Sequence, residues 1–178
     1  MKEIIFAGFG GQGVLTAGLI MAQIALYNKL KATHLPQYGA AMRGGTSNCT
    51  VKYDAVGVDN PGQEQADVVM ALNNPSFQRF VTSLKSGGIM LVNSDIVTCD
   101  TNVRDDVKVY KVPASVMALE LNNARNANII MLGAMIKIMG DFTKEGAIAG
   151  MNDMFRKKGH EDSEPENVAA FEAGYNAV

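Results

Sequence analysis

Residues Ile4 to Tyr27 read Ile-Ile-Phe-Ala-Gly-Phe-Gly-Gly-Gln-Gly-Val-Leu-Thr-Ala-Gly-Leu-Ile-Met-Ala-Gln-Ile-Ala-Leu-Tyr, and this stretch decides the fold. Ile4 to Ala7 is a short apolar run that ends in glycine. It suits a strand buried on both faces, as in a parallel sheet. Val14 to Tyr27 is rich in Ala, Leu, Ile and Met, and its length and helix formers predict a helix that is apolar nearly all round. A buried strand feeding a glycine-rich turn and then a buried helix is the opening of an α/β domain. The same stretch is uncharged, but Gly8, Gly10, Gly11 and Gly13 interrupt it, so it does not form a membrane-spanning helix. Glu3 at its start and the lack of a small-residue cleavage site argue against a signal peptide. Without a targeting signal, the expected location is cytoplasmic.

Working outward, Lys31 to Leu35 is expected to be a second strand ended by Pro36, and Thr46 to Tyr53 a third. Gln37 to Gly45 between them is rich in glycine and irregular. Ala66 to Leu72 is a further buried strand. A helix is expected from Asn73-Asn74-Pro75-Ser76 to about Leu84, stopped by Ser86-Gly87-Gly88, with strands at Ile89 to Val92 and Val107 to Val112. From Ala114 the pattern becomes helical. Asn128 to Met139 is closed by Gly140, and Thr143 opens the next helix. Ser163 with Glu166 three residues on predicts a capping box for a last one. The whole predicts a three-layer, Rossmann-like α/β domain with a mainly parallel sheet and C-terminal helices. We take 1–178 as one domain, with an α/β core at 1–113 and a mostly helical part at 114–178.

At 47% hydrophobic and 19% charged, with a net charge of −2, the chain can bury a core and shows no global field for nucleic acid. Charge is unevenly placed, with no Asp or Glu between Ile4 and Tyr53 and an acidic tail after Lys158. An acid-free third tolerates an anionic ligand or an acidic partner. Cys49 and Cys99 stand far apart with no Cys-x-x-Cys. An iron–sulfur or zinc site needs about four ligands from one locality, so this chain is expected to hold neither. Free thiols fit a reducing compartment. His34, alone beside apolar residues, suits a structural role, and no His/Asp arrangement accompanies Ser47, Ser76 or Ser94.

Gly8, Gly10 and Gly13 form Gly-x-Gly-x-x-Gly between a strand and a helix. The glycines permit a tight turn, a backbone that a ligand can approach, and close strand–helix packing. The helix start offers free N–H groups to a phosphate. A nicotinamide or flavin site also wants an Asp or Glu about 20 residues on, to hold the ribose. Lys31 to Pro36 supplies none. Three roles stay open on these residues: a purely structural turn, an anion or partner contact, and a dinucleotide site. A stand-alone NAD- or flavin-binding oxidoreductase is the alternative function.

The longer string Gly8-Phe9-Gly10-Gly11-Gln12-Gly13-Val14-Leu15-Thr16-Ala17-Gly18 resembles the opening of gamma subunits of 2-oxoacid:ferredoxin oxidoreductases. Leu35-Pro36-Gln37-Tyr38-Gly39-Ala40-Ala41-Met42-Arg43-Gly44-Gly45-Thr46 is similar to the Pro-x-Tyr-Gly-x-x-x-Arg-Gly-Gly segment of the same family. Asn93-Ser94, and Asn128 with Leu132-Gly133-Ala134, also fit, so the resemblance spans roughly residues 3 to 175. It departs at Ala41, where the family carries an acid. The resemblance implies a complex that cleaves a 2-oxoacid on thiamine diphosphate and Mg. That complex sends electrons through iron–sulfur clusters to ferredoxin and delivers the acyl group to coenzyme A. It implies alpha and beta subunits as partners, and a ferredoxin-like delta subunit as a further candidate. The cofactors sit on those subunits, with none bound by this chain alone. No nucleic acid and no membrane span are expected. The Met-Arg-Gly-Gly form points to 2-oxoglutarate or 2-oxoisovalerate members.

The residues expected to bind a ligand or partner are Gly8, Phe9, Gly10, Gly11, Gln12 and Gly13, with Tyr38, Gly39, Met42, Arg43, Gly44, Gly45 and Thr46. No catalytic residue and no metal ligand are expected. Arg43 carries most weight, because its guanidinium suits bidentate recognition of phosphate or carboxylate. The two segments are expected to meet at the carboxyl ends of adjacent strands.

Overall fold

The opening apolar run forms β1 (Lys2–Phe9), an interior strand of a six-stranded sheet in the order β2-β3-β1-β4-β5-β6. In the computed structural model of the chain, the described residues are 1–38 and 45–178. Because side chains alternate along a strand, Ile4 and Phe6 enter the larger core beneath the helices, while Ile5 and Ala7 enter a smaller one on the opposite face. Both faces of β1 are therefore dry, as its uninterrupted apolar run requires.

Strand β4 (Ala66–Ala71) pairs in parallel with β1, β5 (Leu84–Asn93) with β4, and β6 (Lys108–Val112) with β5. On the other side, β3 (Thr46–Asp54) runs antiparallel to β1, and β2 (Lys31–Tyr38) antiparallel to β3. Five of the six strands thus point the same way, and β3 alone is reversed. The mainly parallel sheet of the sequence reading holds in that sense.

Helix α1 (Val14–Tyr27) covers β3, β2 and β1, with α5 (Lys144–Lys157) lying over it. Helices α3 (Ala114–Glu120), α4 (Ala127–Met139) and α6 (Glu164–Asn176) share the same core. Among the described helices only α2 (Asn74–Phe80) packs on the opposite face, through Phe77 and Phe80. The result is three layers of unequal depth. Helices α4 and α6 cross almost backbone to backbone: a Cβ on Gly133 would lie 2.0 Å from the Phe171 carbonyl oxygen.

Three local expectations are corrected. Pro36 does not end β2, which continues to Tyr38. The strand lies at the sheet edge, where an absent N–H can face outward without breaking a ladder. Ser86-Gly87-Gly88 does not stop a helix; α2 ends at Phe80, a 3-10 turn covers Val81–Ser83, and β5 begins at Leu84. Between Ala66 and Val68 the β4–β5 register shifts, which absorbs the glycine pair. The Ser163 capping box does not form. A 3-10 turn at Glu161–Ser163 runs straight into α6, so Ser163 is already helical and its hydroxyl donates to the His160 carbonyl at 2.8 Å.

At the amino ends of β1 and β4 the sheet carries a buried charge pair. Lys52 is fully buried and its Nζ lies 3.2 Å from Glu3 Oε2, directly across the β1–β3 ladder. Glu3 Oε1 accepts the Glu64 N–H at 2.8 Å. Desolvation makes such a pair tolerable only when its other lone pairs are satisfied, and the loop before β4 supplies that bond.

Candidate functional site

The carboxyl ends of β1, β4 and β5 face a cavity of about 550 Å³. In open α/β sheets this edge is where ligands and partners sit, beside the point where strand order reverses. Here β1 is that point, with antiparallel β3 on one side and parallel β4 on the other.

Two helices open onto the cavity. Gly11, Gln12, Gly13 and Thr16 line it from the start of α1, and Arg125 to Ile129 from the start of α4. Neither helix has a side-chain cap or an acidic residue in its first turn. Their leading amides and the positive ends of both dipoles therefore face the same space. No Asp or Glu is found among the described residues that line the cavity. Arg125 is exposed at its rim and enters no ion pair among the described residues. The wall is otherwise rich in carboxamides and hydroxyls, with Asn93, Asn126, Asn128, Asn167 and Ser115. Such a surface attracts an anion and can hydrogen-bond a neutral polar group, and its described residues hold no nucleophile–base pair.

The glycine loop is tied down on all sides. Gly13 takes a left-handed conformation at φ 73° as the N-cap of α1, and Asn128 Nδ2 donates to its carbonyl at 3.1 Å. A Cβ on Gly13 would meet that Nδ2 at 2.5 Å, so glycine and asparagine require each other. Gln12 lines the cavity while its carboxamide is bonded within the chain. Its Oε1 accepts the Phe9 N–H at 2.7 Å and Asn73 Nδ2 at 3.0 Å, and its Nε2 donates to the Leu72 carbonyl at 3.1 Å.

The two sequence segments meet. Gly8 and Phe9 pair with Ser47 and Thr46, and the Gly10 N–H donates to the Gly45 carbonyl at 3.0 Å. Tyr38 ends β2, opposite Ser47. Strands β1 and β2 are not neighbours, however, because β3 lies between them. Gly39, Met42, Arg43 and Gly44 lie outside the described residues. The inserted strand also bears on a dinucleotide: the ribose-binding end of the second strand stands two strand spacings from the glycine loop, about 9.6 Å rather than about 4.8 Å.

The wall from the C-terminal half went unread in sequence. In the sequence Asn93 and Asn128 stand out only through the resemblance, and Ser115, Arg125, Asn126 and Asn167 do not stand out. The Asn-rich string Asn122-Asn123-Ala124-Arg125-Asn126-Ala127-Asn128 was the available signal. His34 packs structurally: a Cβ on Gly18 would lie 2.3 Å from Cys49 Sγ and 3.2 Å from His34 Nε2. Burial first, and Lys158 second, hold the His34 imidazole below its usual range. Burial pushes the Cys49 thiol up to about 12, so it is inert as a nucleophile. No group of three or more His, Cys, Asp or Glu side chains that could hold a metal is found among the described residues. No helix there is long and apolar enough to cross a membrane.

Residues 3–177 match the family of pyruvate ferredoxin/flavodoxin oxidoreductases. The chain is 34% identical to a 2-oxoglutarate synthase subunit KorC of Methanocaldococcus jannaschii, over 99% of this chain and 94% of that one. It is 39% identical to ketoisovalerate oxidoreductase subunit VorA of Methanothermobacter marburgensis, over 76% of this chain but 28% of that longer one. Its fold is similar to the crystal structure of a keto/oxoacid ferredoxin oxidoreductase gamma subunit from Geobacter sulfurreducens, with a TM-score of 0.84 and 30% identity, covering 99% of this chain and 98% of that one.

Proposed function

The chain belongs to the pyruvate ferredoxin/flavodoxin oxidoreductase family as a gamma subunit of a 2-oxoacid:ferredoxin oxidoreductase, and from that premise we propose that its cavity edge closes over coenzyme A against the catalytic subunits. The observation that carries this is the junction of the two family segments, Gly10 N–H to Gly45 C=O at 3.0 Å, beside a cavity lined by no carboxylate among its described residues. Coenzyme A brings several phosphate charges. The leading amides of α1 and α4, with Arg125 and Arg43, are the groups to meet them.

The chain takes no redox step itself. Cys49 belongs to the core beneath α1 and Cys99 packs against the core on the opposite face, so the two cannot ligate one cluster. Thiamine diphosphate, Mg and the iron–sulfur clusters belong on alpha and beta partners, with a ferredoxin-like delta subunit completing the path to ferredoxin. Likeness to KorC and VorA supports 2-oxoglutarate or a branched-chain 2-oxoacid as substrate. The chain acts in the cytoplasm, as one unit over 1–178. Its core at 1–113 and its helical part at 114–178 both contribute cavity wall, which supports treating them together.

Reconstitution of the complex with Arg43→Ala tests the proposal. A lost charge-assisted contact of about 1.5–3 kcal/mol weakens assembly or raises the KM for coenzyme A by roughly ten- to a hundred-fold. Subunit affinity and KM both within about two-fold of wild type would overturn the role of Arg43, since 0.4 kcal/mol is about that factor.

A further inference from the structure

Strands β1 and β4 part company at a defined rung. The Leu72 N–H donates to the Ala7 carbonyl at 2.9 Å. The next bond of a parallel ladder would run from the Phe9 N–H to the Leu72 carbonyl. The Gln12 carboxamide occupies that rung instead, accepting from Phe9 at 2.7 Å and donating to Leu72 at 3.1 Å. The inserted group is anchored from behind. Asn73, itself 2% exposed, donates to Gln12 Oε1 at 3.0 Å, and its own Oδ1 accepts the Ser76 N–H at 2.9 Å to cap α2. Gly8 leaves the room, since a Cβ there would lie 2.7 Å from Gln12 Oε1. A Cβ there would also lie 2.7 Å from Val14 Cγ2, so Gly8 makes room for both the carboxamide and the start of α1.

We propose that Gln12 is a positioning residue that wedges β1 and β4 apart and so sets the shape of the crevice between Gly11–Gly13 and Leu72. Removing the wedge frees Phe9 N–H and Leu72 C=O to pair directly or take up water. Either change shifts the loop whose amides line the cavity. The inference rests on the reading that this edge receives coenzyme A. Because the Gln12 carboxamide is bonded to Phe9, Leu72 and Asn73, its loss acts through the loop and weakens coenzyme A binding more than it slows the bound complex.

The test is the reconstituted complex carrying Gln12→Ala or Gln12→Met, the second keeping the volume and losing the bonds. Hydrogen exchange at Phe9 to Gly13 is expected to quicken in both. The KM for coenzyme A is expected to rise on the order of ten-fold, with kcat within about two-fold of wild type. Unchanged exchange and unchanged KM in both variants would overturn the positioning role. Thr16→Asp separates this from the parent reading, because it places a carboxylate in the cavity lining at an exposed first-turn position. If Thr16→Asp raises the KM and the Gln12 variants do not, coenzyme A binds at this edge and the wedge is wrong. If neither raises it, the coenzyme A reading falls and the positioning role falls with it.

Discussion

Replacing Gly174 by alanine should destabilise the chain, against the intrinsic preference of a helix. Alanine in a helix interior is favoured over glycine by roughly 0.5–1 kcal/mol. At Gly174 in α6, however, a Cβ would lie 1.8 Å from the Ile130 carbonyl oxygen of α4, 2.6 Å from its carbonyl carbon and 2.9 Å from its Cα. Carbon and oxygen need about 3.3 Å, so the helices must separate by about 1.5 Å at this point. No side chain can swing away, because all three obstacles are backbone. The crossing is sealed by Ile130, Ala134 and Phe171 at 0% exposure, and separation opens gaps along it. Overpacking costs about 1–3 kcal/mol, and a backbone obstacle puts the cost at the upper end. After the propensity gain, the net loss is about 2 kcal/mol, or a fall in Tm of about 4–8 °C for a domain of this size. Gly133→Ala meets the Phe171 carbonyl at 2.0 Å and should behave alike, whereas Gly57→Ala, with nothing within 4 Å, should be neutral. Urea unfolding followed by circular dichroism reads all three. A Gly174→Ala midpoint at or above wild type would refute the backbone contact between α4 and α6.

Three further outcomes are expected. Lys52→Met leaves Glu3 buried without its partner and should cost about 3–5 kcal/mol in urea unfolding, with Glu3→Gln added to it restoring part of the loss. His34 binds its proton less readily folded than unfolded, so below the usual imidazole range the unfolded chain takes up the proton first and stability falls as pH drops. The difference in Tm between pH 7.5 and pH 5.5 should therefore shrink in His34→Gln, a scan that needs only buffer exchange, with both values set around the unperturbed imidazole pKa of about 6.5. Cys49 is buried and its thiolate disfavoured, while Cys99 is partly exposed, so a thiol reagent should label one cysteine quickly. Cys99→Ser should abolish that fast phase, and labelling of two thiols in the native chain would contradict the packing of Cys49.

What could be read in the sequence was local. Ile4 to Tyr27 carries strand, turn and helix in one stretch, and the helix boundaries Val14 and Tyr27 are those observed. Thr143 and Gly140 act as the cap and stop they resemble, with Thr143 accepting the Gly146 N–H at 3.1 Å. The misreadings came where a neighbouring strand overrides a local signal. Pro36 continues β2 because the strand is at an edge, and Ser86-Gly87-Gly88 lies within β5 at the register shift against β4, where Gly87 takes a φ of 78° and its N–H donates to the Asp106 carbonyl at 2.7 Å. The cavity was half legible. Its glycine loop is a motif, but Arg125, Asn126 and Asn128 reach it from more than a hundred residues away, and only the folded sheet brings them there. Gln12 shows the limit of motif reading most clearly. Its place inside a glycine fingerprint gives no sign of the bonds its carboxamide makes to Phe9, Leu72 and Asn73.

Both margins of the sheet are guarded against unwanted pairing. The outer strand β2 lacks one amide at Pro36 and begins with exposed Lys31, while β6 presents exposed Lys108 and Lys111 at the other side. A further strand from another molecule would have to bury those ammonium groups and forgo a bond at the proline. A subunit made before its partners are present has open sheet edges for as long as it waits. These two edges let it wait dispersed instead of stacking into aggregates, so sheet-to-sheet addition is closed off as a route to association.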